Sequence, residues 1–282
     1  MPASRTAQYV ALYRALETVE RRRPPLFQDP YAIRFLSPGL GRAVRAAQRP
    51  AIHSLIARYA DHRAPGARTS AIGRTKIIDD VLRSSVAAGV GQVVILGAGF
   101  DCRAHRLPEL AGVSVFEVDR PDTQAEKRAR LSGAREDVYY VAVDFLRESV
   151  AERLGDAGWA AEAPTCFVWE GVTNYLTAAA VEEMLAWIGG TASGGTLVFT
   201  YIHGGLLDGS VHFAGGSRIM QNVRTLGEPW TFGLRPSEVG PLLERFGLTL
   251  REDLGADDYR RRTGLTNLSG YAFYRLAVAD VP

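Results

Sequence analysis

The chain has 282 residues, of which 46% are hydrophobic and 23% charged, a composition typical of a globular protein with a large buried core. Its formal net charge is +2 and its arginines are scattered, so no basic stripe points to nucleic acid as a partner. No apolar run approaches the roughly 20 residues of a membrane span, and the N-terminus lacks the apolar core of a signal peptide. The two cysteines, Cys102 and Cys166, have no metal-type spacing and form no disulfide framework. We therefore expect a reduced, cytoplasmic protein without a metal.

The first 90 residues show helical periodicity, beginning with an amphipathic helix at the N-terminus. Asp29 and Pro30 are typical of an N-cap and a first helical turn. A further helix is predicted over 70–88, and Gly89 ends it. Because no strand is predicted before residue 90, we interpret 1–90 as an N-terminal helical cap.

From residue 92 the pattern changes to short apolar runs that alternate with helices. The runs are QVVIL, VSVFEVD, VYYVAVD, TCFVWE and GTLVFTYI, and the helices are predicted at 121–131, 147–156 and 177–188. This alternation predicts right-handed crossovers and a parallel sheet that is covered on both faces. A helix, PSEVGPLLERFG, and an antiparallel edge pair, LTLRED and YAFYRLAVAD, follow. The fold class is α/β, with a doubly wound, mostly parallel seven-stranded sheet over 91–282.

Residues 203–234 interrupt this rhythm after the fifth strand. The segment includes HGGLLDGSVHFAGGS, which is too rich in glycine for a strand or a long helix. We interpret it as a lid insertion, because loops of this length in compact domains commonly cover a binding site.

The first strand ends in a glycine turn, Gly97-Ala98-Gly99. In a doubly wound sheet the ligand crevice lies beyond the carboxyl ends of the strands, and glycine there lets the backbone approach a ligand. The second strand ends at Asp119, 22 residues after Gly97, where a carboxylate accepts hydrogen bonds from ribose hydroxyls. Together these residues predict an adenosine nucleoside as the ligand.

Further residues favour S-adenosylmethionine over a dinucleotide. Cys102 stands where a G-x-G-x-x-G fingerprint needs its third glycine, and Asp101 at the start of the next helix would repel a pyrophosphate. Asp144 and Phe145 follow the third strand, where a carboxylate binds an exocyclic amine and a ring covers adenine. Glu170 follows the fourth strand, where it can pair with an ammonium group. Each acid taken singly is also compatible with a helix N-cap.

The segments LGAGFDCRAHRL, FEVDRPDTQAEK and VWEGVTNYLT resemble the motifs of the leucine carboxyl methyltransferase-like family of class I S-adenosylmethionine-dependent methyltransferases. This family includes bacterial O-methyltransferases of polyketide pathways, and SRTA, DPYA and GRTKIIDD also match it. The resemblance implies a Rossmann-like methyltransferase fold. For the cofactor carboxylate it leaves two arginines open, Arg74 and Arg68, because both belong to Arg-Thr pairs. The implied cofactor contacts are Arg74 with the carboxylate, Gly97 with the methionine moiety, Asp119 with the ribose, Asp144 and Phe145 with the adenine, and Glu170 with the ammonium.

The reaction that the resemblance implies is methyl transfer from a sulfonium to an oxygen, in which alignment of the reacting atoms supplies much of the rate. We favour as acceptor the carboxylate of a small aromatic or polyketide molecule, because a short, glycine-rich lid does not suit a protein partner. A carboxylate is ionised at neutral pH and needs no base, whereas a phenol does. His203 and Tyr175 are the candidate catalytic residues, and His212 is a second candidate base.

Aromatic and arginine side chains near the lid are the candidate acceptor contacts. They are Arg5, Tyr175, Phe213, Arg218, Arg224, Trp230 and Phe232. One alternative is a phenolic O-methyltransferase on the same scaffold. A nicotinamide-dependent oxidoreductase is disfavoured by Cys102 and by the lack of a Tyr-x-x-x-Lys pair, and a non-catalytic cofactor-binding module is a third alternative. The oligomeric state stays open.

Overall fold

The computed structural model describes residues 5–135, 137–145, 148–191 and 194–282, and the side chain of Arg5 lies outside the described part. The helical segment before the sheet contains four α-helices among these residues. They are α1 (Arg5–Thr18), α2 (Pro38–Ala46), α3 (Pro50–Arg63) and α4 (Ala67–Ala87).

The α-helix predicted after Asp29 is a single 3-10 turn, Ala32–Phe35. The N-cap of this turn is Tyr31, not Asp29, but Asp29 Oδ1 accepts from the amides of Tyr31 and Ala32 at 3.2 and 3.0 Å. The turn ends because Ser37, which precedes Pro38, is extended and caps α2 instead.

The sheet has seven strands in the described part of the chain, in the order β3-β2-β1-β4-β5-β7-β6. They are β1 (Gln92–Leu96), β2 (Ser114–Asp119), β3 (Val138–Ala142), β4 (Thr165–Trp169), β5 (Thr196–Ile202), β6 (Thr249–Leu254) and β7 (Tyr274–Asp280). Strands β1 to β5 pair in parallel, and β7 is antiparallel to both of its neighbours. The predicted fold class is therefore confirmed. The final antiparallel pair is also present, but of its two strands β7 lies inside the sheet, between β5 and β6, and β6 forms one edge.

The remaining helices connect the strands and cover the sheet. They are α5 (Arg103–Arg106), α6 (Pro121–Arg130), α7 (Val150–Asp156), α8 (Ala178–Gly189), α9 (Gly204–Leu207), α10 (Gly216–Thr225), α11 (Pro236–Glu244) and α12 (Ala256–Thr263), with 3-10 turns at Pro108–Leu110 and Thr173–Tyr175. The lid thus contains two helices that the sequence did not predict. None of the described helices is long and apolar enough to cross a bilayer.

Both faces of the sheet are buried, and a third apolar cluster joins the N-terminal segment to the glycine turn. One face packs on α7, α8 and α11, and the other packs on α4. In the third cluster, Leu12 and Leu16 of α1 pack with Phe35 and Phe100, and the rings of the last two stack at 4.4 Å. The helix α1 is therefore placed directly against the residues that follow β1. The division of the chain at residue 90 stays a prediction.

Candidate active site

The glycine turn lies at the carboxyl end of β1, and both of its glycines have positive φ, +66° at Gly97 and +43° at Gly99. A Cβ on Gly97 would lie 2.3 Å from Cγ2 of Val172, so this glycine lets the segment after β4 pack on the turn. A Cβ on Gly99 would meet nothing closer than the Gly97 carbonyl oxygen at 3.8 Å. Gly99 therefore keeps one side of the turn open.

Asp119, at the end of β2, binds this turn. Its Oδ2 accepts from the Gly99 amide at 2.5 Å, and its Oδ1 accepts from the Arg120 amide at 2.7 Å. Burial raises the pKa of Asp119, while these two amides act to lower it. The structure thus brings together the two features from which an adenosine ligand was predicted.

Glu170, directly after β4, lies between two buried arginines. Its Oε2 is 3.0 Å from Nη2 of Arg103, and its Oε1 accepts from Nε of Arg74 at 3.4 Å. The Arg74 guanidinium also stacks over the Tyr274 ring, with Cζ 3.9 Å from its centroid. One carboxylate, Glu170, therefore lies between two guanidiniums after β4, in addition to the Asp119 carboxylate on the glycine turn.

Arg103 is a residue that the sequence analysis missed. It is 3% exposed and pairs with Asp101, with Glu170 and, through Nε at 2.9 Å, with Asp79. Burial acts to lower its pKa, but the carboxylates of Asp101 and Glu170 raise it well above the ordinary value. The sequence signal that could have indicated Arg103 is its position two residues after Asp101, just past the glycine turn.

The structure distinguishes between Arg68 and Arg74, the two candidates for binding the cofactor carboxylate. Arg68 binds the carboxylate of Asp61 through Nε and Nη2, at 2.9 and 2.6 Å. Arg74 instead lies against Glu170. Of the two, Arg74 is the residue placed in the crevice.

Asp144 and Phe145 follow β3 at the same edge of the sheet as Asp119. The amide of Val143 donates to the carbonyl of Asp119 at 2.9 Å, which places the turn after β3 beside the end of β2. The Asp144 amide donates to Oε2 of Glu148 at 2.8 Å, and Phe145 packs on the sheet core. Their contacts with adenine stay predictions.

His203, the first candidate base, caps a helix. Its Nδ1 accepts from the Gly205 amide at 3.0 Å, at the N-terminus of α9, and its ring lies 5.0 Å from that of Phe213. Burial lowers its pKa. One ring nitrogen is therefore already used in holding the lid.

The other candidate acceptor residues fall into three groups. Tyr175, Phe213 and Trp230 belong to one aromatic cluster with Phe273 and Tyr274, beside the carboxyl end of β5. Phe232 packs instead in the apolar cluster on one face of the sheet. The remaining candidates, which are exposed side chains of the lid, are His212, Arg218 and Arg224. The side chain of Arg5, also predicted to contact the acceptor, lies outside the described part of the structure.

A family model described as leucine carboxyl methyltransferase matches residues 7–189. The chain belongs to this family. A Frankia alni protein, named as a candidate S-adenosyl-L-methionine-dependent methyltransferase, is 38% identical over 195 residues, which is 68% of this chain and 65% of that protein. A Streptomyces coelicolor protein named in the same way is 38% identical over 217 residues, 75% of this chain and 72% of that protein. The predicted family is therefore confirmed, and the matches span about two thirds of the relatives' length.

Two solved structures share the fold of nearly the whole chain. A candidate methyltransferase from Thermobifida fusca has a TM-score of 0.57 at 16% identity, with 96% of this chain and 94% of that chain covered. A protein of the family duf574 from Streptomyces avermitilis has a TM-score of 0.60 at 13% identity, with 96% and 97% covered. These likenesses concern the fold alone, and they agree with the predicted Rossmann-like methyltransferase architecture. S-adenosylmethionine, the predicted cofactor, is the one in the names of both sequence relatives.

Proposed function

We propose that this protein is an S-adenosylmethionine-dependent O-methyltransferase that methylates the carboxylate of a small aromatic or polyketide acceptor. The observation that carries the proposal is the pairing of Glu170 with Arg74 beside the glycine turn. A carboxylate next to a guanidinium complements the ammonium and carboxylate groups of an amino-acid tail. A pyrophosphate has no cationic group for Glu170 to pair with, and the carboxylate of Asp119 would repel it.

The chemistry of the residues in the crevice fits this cofactor. Asp119 would supply the acceptor oxygens for ribose hydroxyls, and a Cβ on Gly99 would meet nothing closer than the Gly97 carbonyl oxygen at 3.8 Å. When bound, S-adenosylmethionine supplies an electrophilic methyl group on a positively charged sulfur. The contribution of this chain is to fix the cofactor at both ends, so that the acceptor oxygen meets the methyl group in line.

Two observations support a carboxylate as the acceptor. The family model takes its name from carboxyl methylation. A carboxylate is also ionised at neutral pH, so it reacts without a base, in agreement with the use of His203 Nδ1 as a helix cap.

A phenolic acceptor is the second candidate, and a lid carboxylate favours it. Thr6 of α1 donates to Oε2 of Glu228 at 2.9 Å. Burial is the main cause that raises the pKa of Tyr175 to about 12, and Tyr274 and the Glu228 carboxylate contribute to the rise. If the acceptor is a phenol, we propose Glu228 as the group that accepts its proton.

The cofactor half is tested by calorimetric titration of the wild type, Asp119→Ala and Glu170→Gln with S-adenosylmethionine. We expect binding in the wild type and a loss of about 10- to 100-fold in each variant, because each removes hydrogen bonds to a charged group. Glu182→Gln is the matched control, since Glu182 is an exposed carboxylate paired with Arg245 at 2.9 Å, and its affinity should equal that of the wild type. Absence of wild-type binding at millimolar cofactor would contradict the proposal, and binding of NAD in its place would favour the oxidoreductase.

The acceptor half is tested with a panel of matched aromatic carboxylic acids and phenols. Turnover with the acids, to products that mild base hydrolyses, would support an ester and therefore a carboxyl acceptor. Base-stable products made only from phenols would favour the second candidate. Cofactor binding without turnover of any acceptor would support the non-catalytic module.

A further inference from the structure

A line of buried ion pairs runs from the cofactor crevice to the N-terminal helix. Arg103 binds Asp79, Asp79 binds Arg106 through two contacts of 2.7 Å, and Arg106 Nε is 3.8 Å from Asp29 Oδ2. Asp29 Oδ2 in turn accepts from Nε of Arg14, in α1, at 2.8 Å. We call these five residues the relay. Each of their side chains is at least nine-tenths buried.

The two ends of the relay are fixed to the two sides of the glycine turn. At one end, Arg103 Nη2 lies 3.0 Å from Oε2 of Glu170. At the other end, Arg14 Nη2 donates at 2.5 Å to the carbonyl of Phe100, which directly follows Gly99. The helix α1 therefore contacts the turn itself and, through the relay, the acid on its far side.

The charge of the relay balances only when the crevice is included. Three arginines and two aspartates give it a net charge of +1. Asp101 and Glu170, which pair with Arg103, bring the sum to −1, and Arg74, which pairs with Glu170, brings it to zero. Burying this many charges is a poor way to gain stability, because the desolvation of each ion offsets its attraction to the next. A cation that binds at Glu170 also changes the electrostatic balance along the whole line.

The relay also explains a sequence motif that the cofactor contacts leave unused. Asp29 begins the DPYA segment, and both of its oxygens are engaged. Oδ1 accepts from the Tyr31 and Ala32 amides, while Oδ2 binds Arg14. Asp29 thus joins the start of the 3-10 turn to α1 and to the relay at a single point.

We propose that Arg103 is a positioning residue, which orients Glu170 toward the ammonium group of the cofactor, and that the relay couples cofactor binding to the docking of α1. The inference rests on the proposed function. Because coupling between two sites is reciprocal, cofactor should hold α1 in place, and docked α1 should strengthen cofactor binding. Since Thr6 of α1 also binds Glu228 of the lid, this coupling extends from the cofactor to the acceptor side.

The role of Arg103 is tested with Arg103→Lys and two ligands, S-adenosylmethionine and 5′-methylthioadenosine, which lacks the amino-acid tail. We expect the variant to bind S-adenosylmethionine about fivefold or more weakly, since coupling of this kind is commonly of that size or larger. Its affinity for 5′-methylthioadenosine should equal that of the wild type, because Glu170, the residue that Arg103 orients, would face the amino-acid tail that this ligand lacks. Equal losses for both ligands would show general damage to the crevice and overturn the positioning role.

The coupling is tested with Arg14→Met and a matched control, Glu17→Gln. Glu17 lies three residues further along α1 and pairs with Arg23 through two contacts of 2.6 Å, outside the relay. We expect Arg14→Met to weaken S-adenosylmethionine binding about fivefold or more, Arg14→Lys to restore part of it, and Glu17→Gln to leave it unchanged. Equal effects of Arg14→Met and Glu17→Gln would overturn the coupling.

Hydrogen exchange of the wild type tests the same coupling without a substitution. Amides of α1 should exchange more slowly when S-adenosylmethionine is bound, because the cofactor stabilises the docked helix. If the wild type binds the cofactor and exchange in α1 does not change, the coupling is wrong while the proposed function stands. If the wild type does not bind the cofactor, the proposed function itself fails.

Discussion

The two sides of the crevice are held together differently. Buried ion pairs hold the polar side chains on the cofactor side, which lies beyond strands β1 to β4. Aromatic packing is the main contact that holds the lid, on the acceptor side. Arg103 and Arg74 are 3% and 5% exposed and bind carboxylates. In the lid, Phe213 and Trp230 pack on Phe273 at ring distances of 5.9 and 6.2 Å. The cofactor side is therefore preorganised for one charged ligand.

Replacing a glycine of positive φ by alanine should lower the free energy of unfolding by different amounts on the two sides. Gly97 has φ +66° and would place a Cβ 2.3 Å from Val172, whereas Gly209 in the lid has φ +74° and nothing within 4 Å. We expect Gly97→Ala to lower the free energy of unfolding by about 3 kcal/mol, from backbone strain and overpacking together. Gly209→Ala should cost about 1 kcal/mol, from strain alone. Urea unfolding of both variants measures the difference.

The overpacking part of this cost is tested by adding Val172→Ala to Gly97→Ala. Removal of the Val172 methyl groups should make the double variant more stable than the sum of the single changes predicts. Additive effects, or equal losses for Gly97→Ala and Gly209→Ala, would show that Val172 moves aside easily. The cofactor side would then be no more tightly packed than the lid.

Buried ionisable groups should give the cofactor side its own pH dependence. Glu117, on β2, has Oε2 2.6 Å from Nζ of Lys127, and His105 Nε2 is 3.2 Å from the Tyr140 hydroxyl. Burial raises the pKa of Glu117 to about 7, although Lys127 acts to lower it. Burial also lowers the pKa of His105 to about 4, with a further contribution from Lys127. The folded state therefore favours the neutral form of both groups.

These two groups act on stability in opposite directions as the pH rises. Between the ordinary and the raised pKa of Glu117 the folded state binds more protons, so its contribution to stability falls with pH. Between the lowered and the ordinary pKa of His105 the unfolded state binds more protons, so that contribution rises. From about pH 4.5 to 6.5 the two slopes oppose each other.

Single substitutions should reveal each slope. Relative to the wild type, Glu117→Gln should make the free energy of unfolding rise more steeply with pH in this window, and His105→Asn should make it fall. The limiting change for one proton is about 1.4 kcal/mol per pH unit. Denaturant unfolding at several pH values checks this, and parallel profiles for all three proteins would contradict it.

The sequence predicts the cofactor side better than the lid because of how each is built. Asp119 and Glu170 follow buried parallel strands, and local pattern alone places such positions at one edge of the sheet. Arg103 was missed because its partner Asp79 lies 24 residues away on another helix, so only tertiary packing brings them together. In the lid, Gly215 and Gly216 suggested irregular structure. Instead, Gly215, at φ +78°, is the N-cap of α10.

The smallest expected effect concerns His203, the candidate general base on the acceptor side. His203→Ala removes the cap of α9, so the free energy of unfolding should fall by about 1 kcal/mol, while His203→Asn should retain most of the capping. If the acceptor is a carboxylate, both variants should keep the wild-type cofactor affinity and methylation rate, as measured by calorimetry and by product formation. A general base contributes about 100-fold or more, so a loss of that size in both variants, with cofactor affinity unchanged, would assign the base to His203 and favour a phenol. A loss in His203→Ala that His203→Asn restores would instead show that the lid must be held for the acceptor to be aligned.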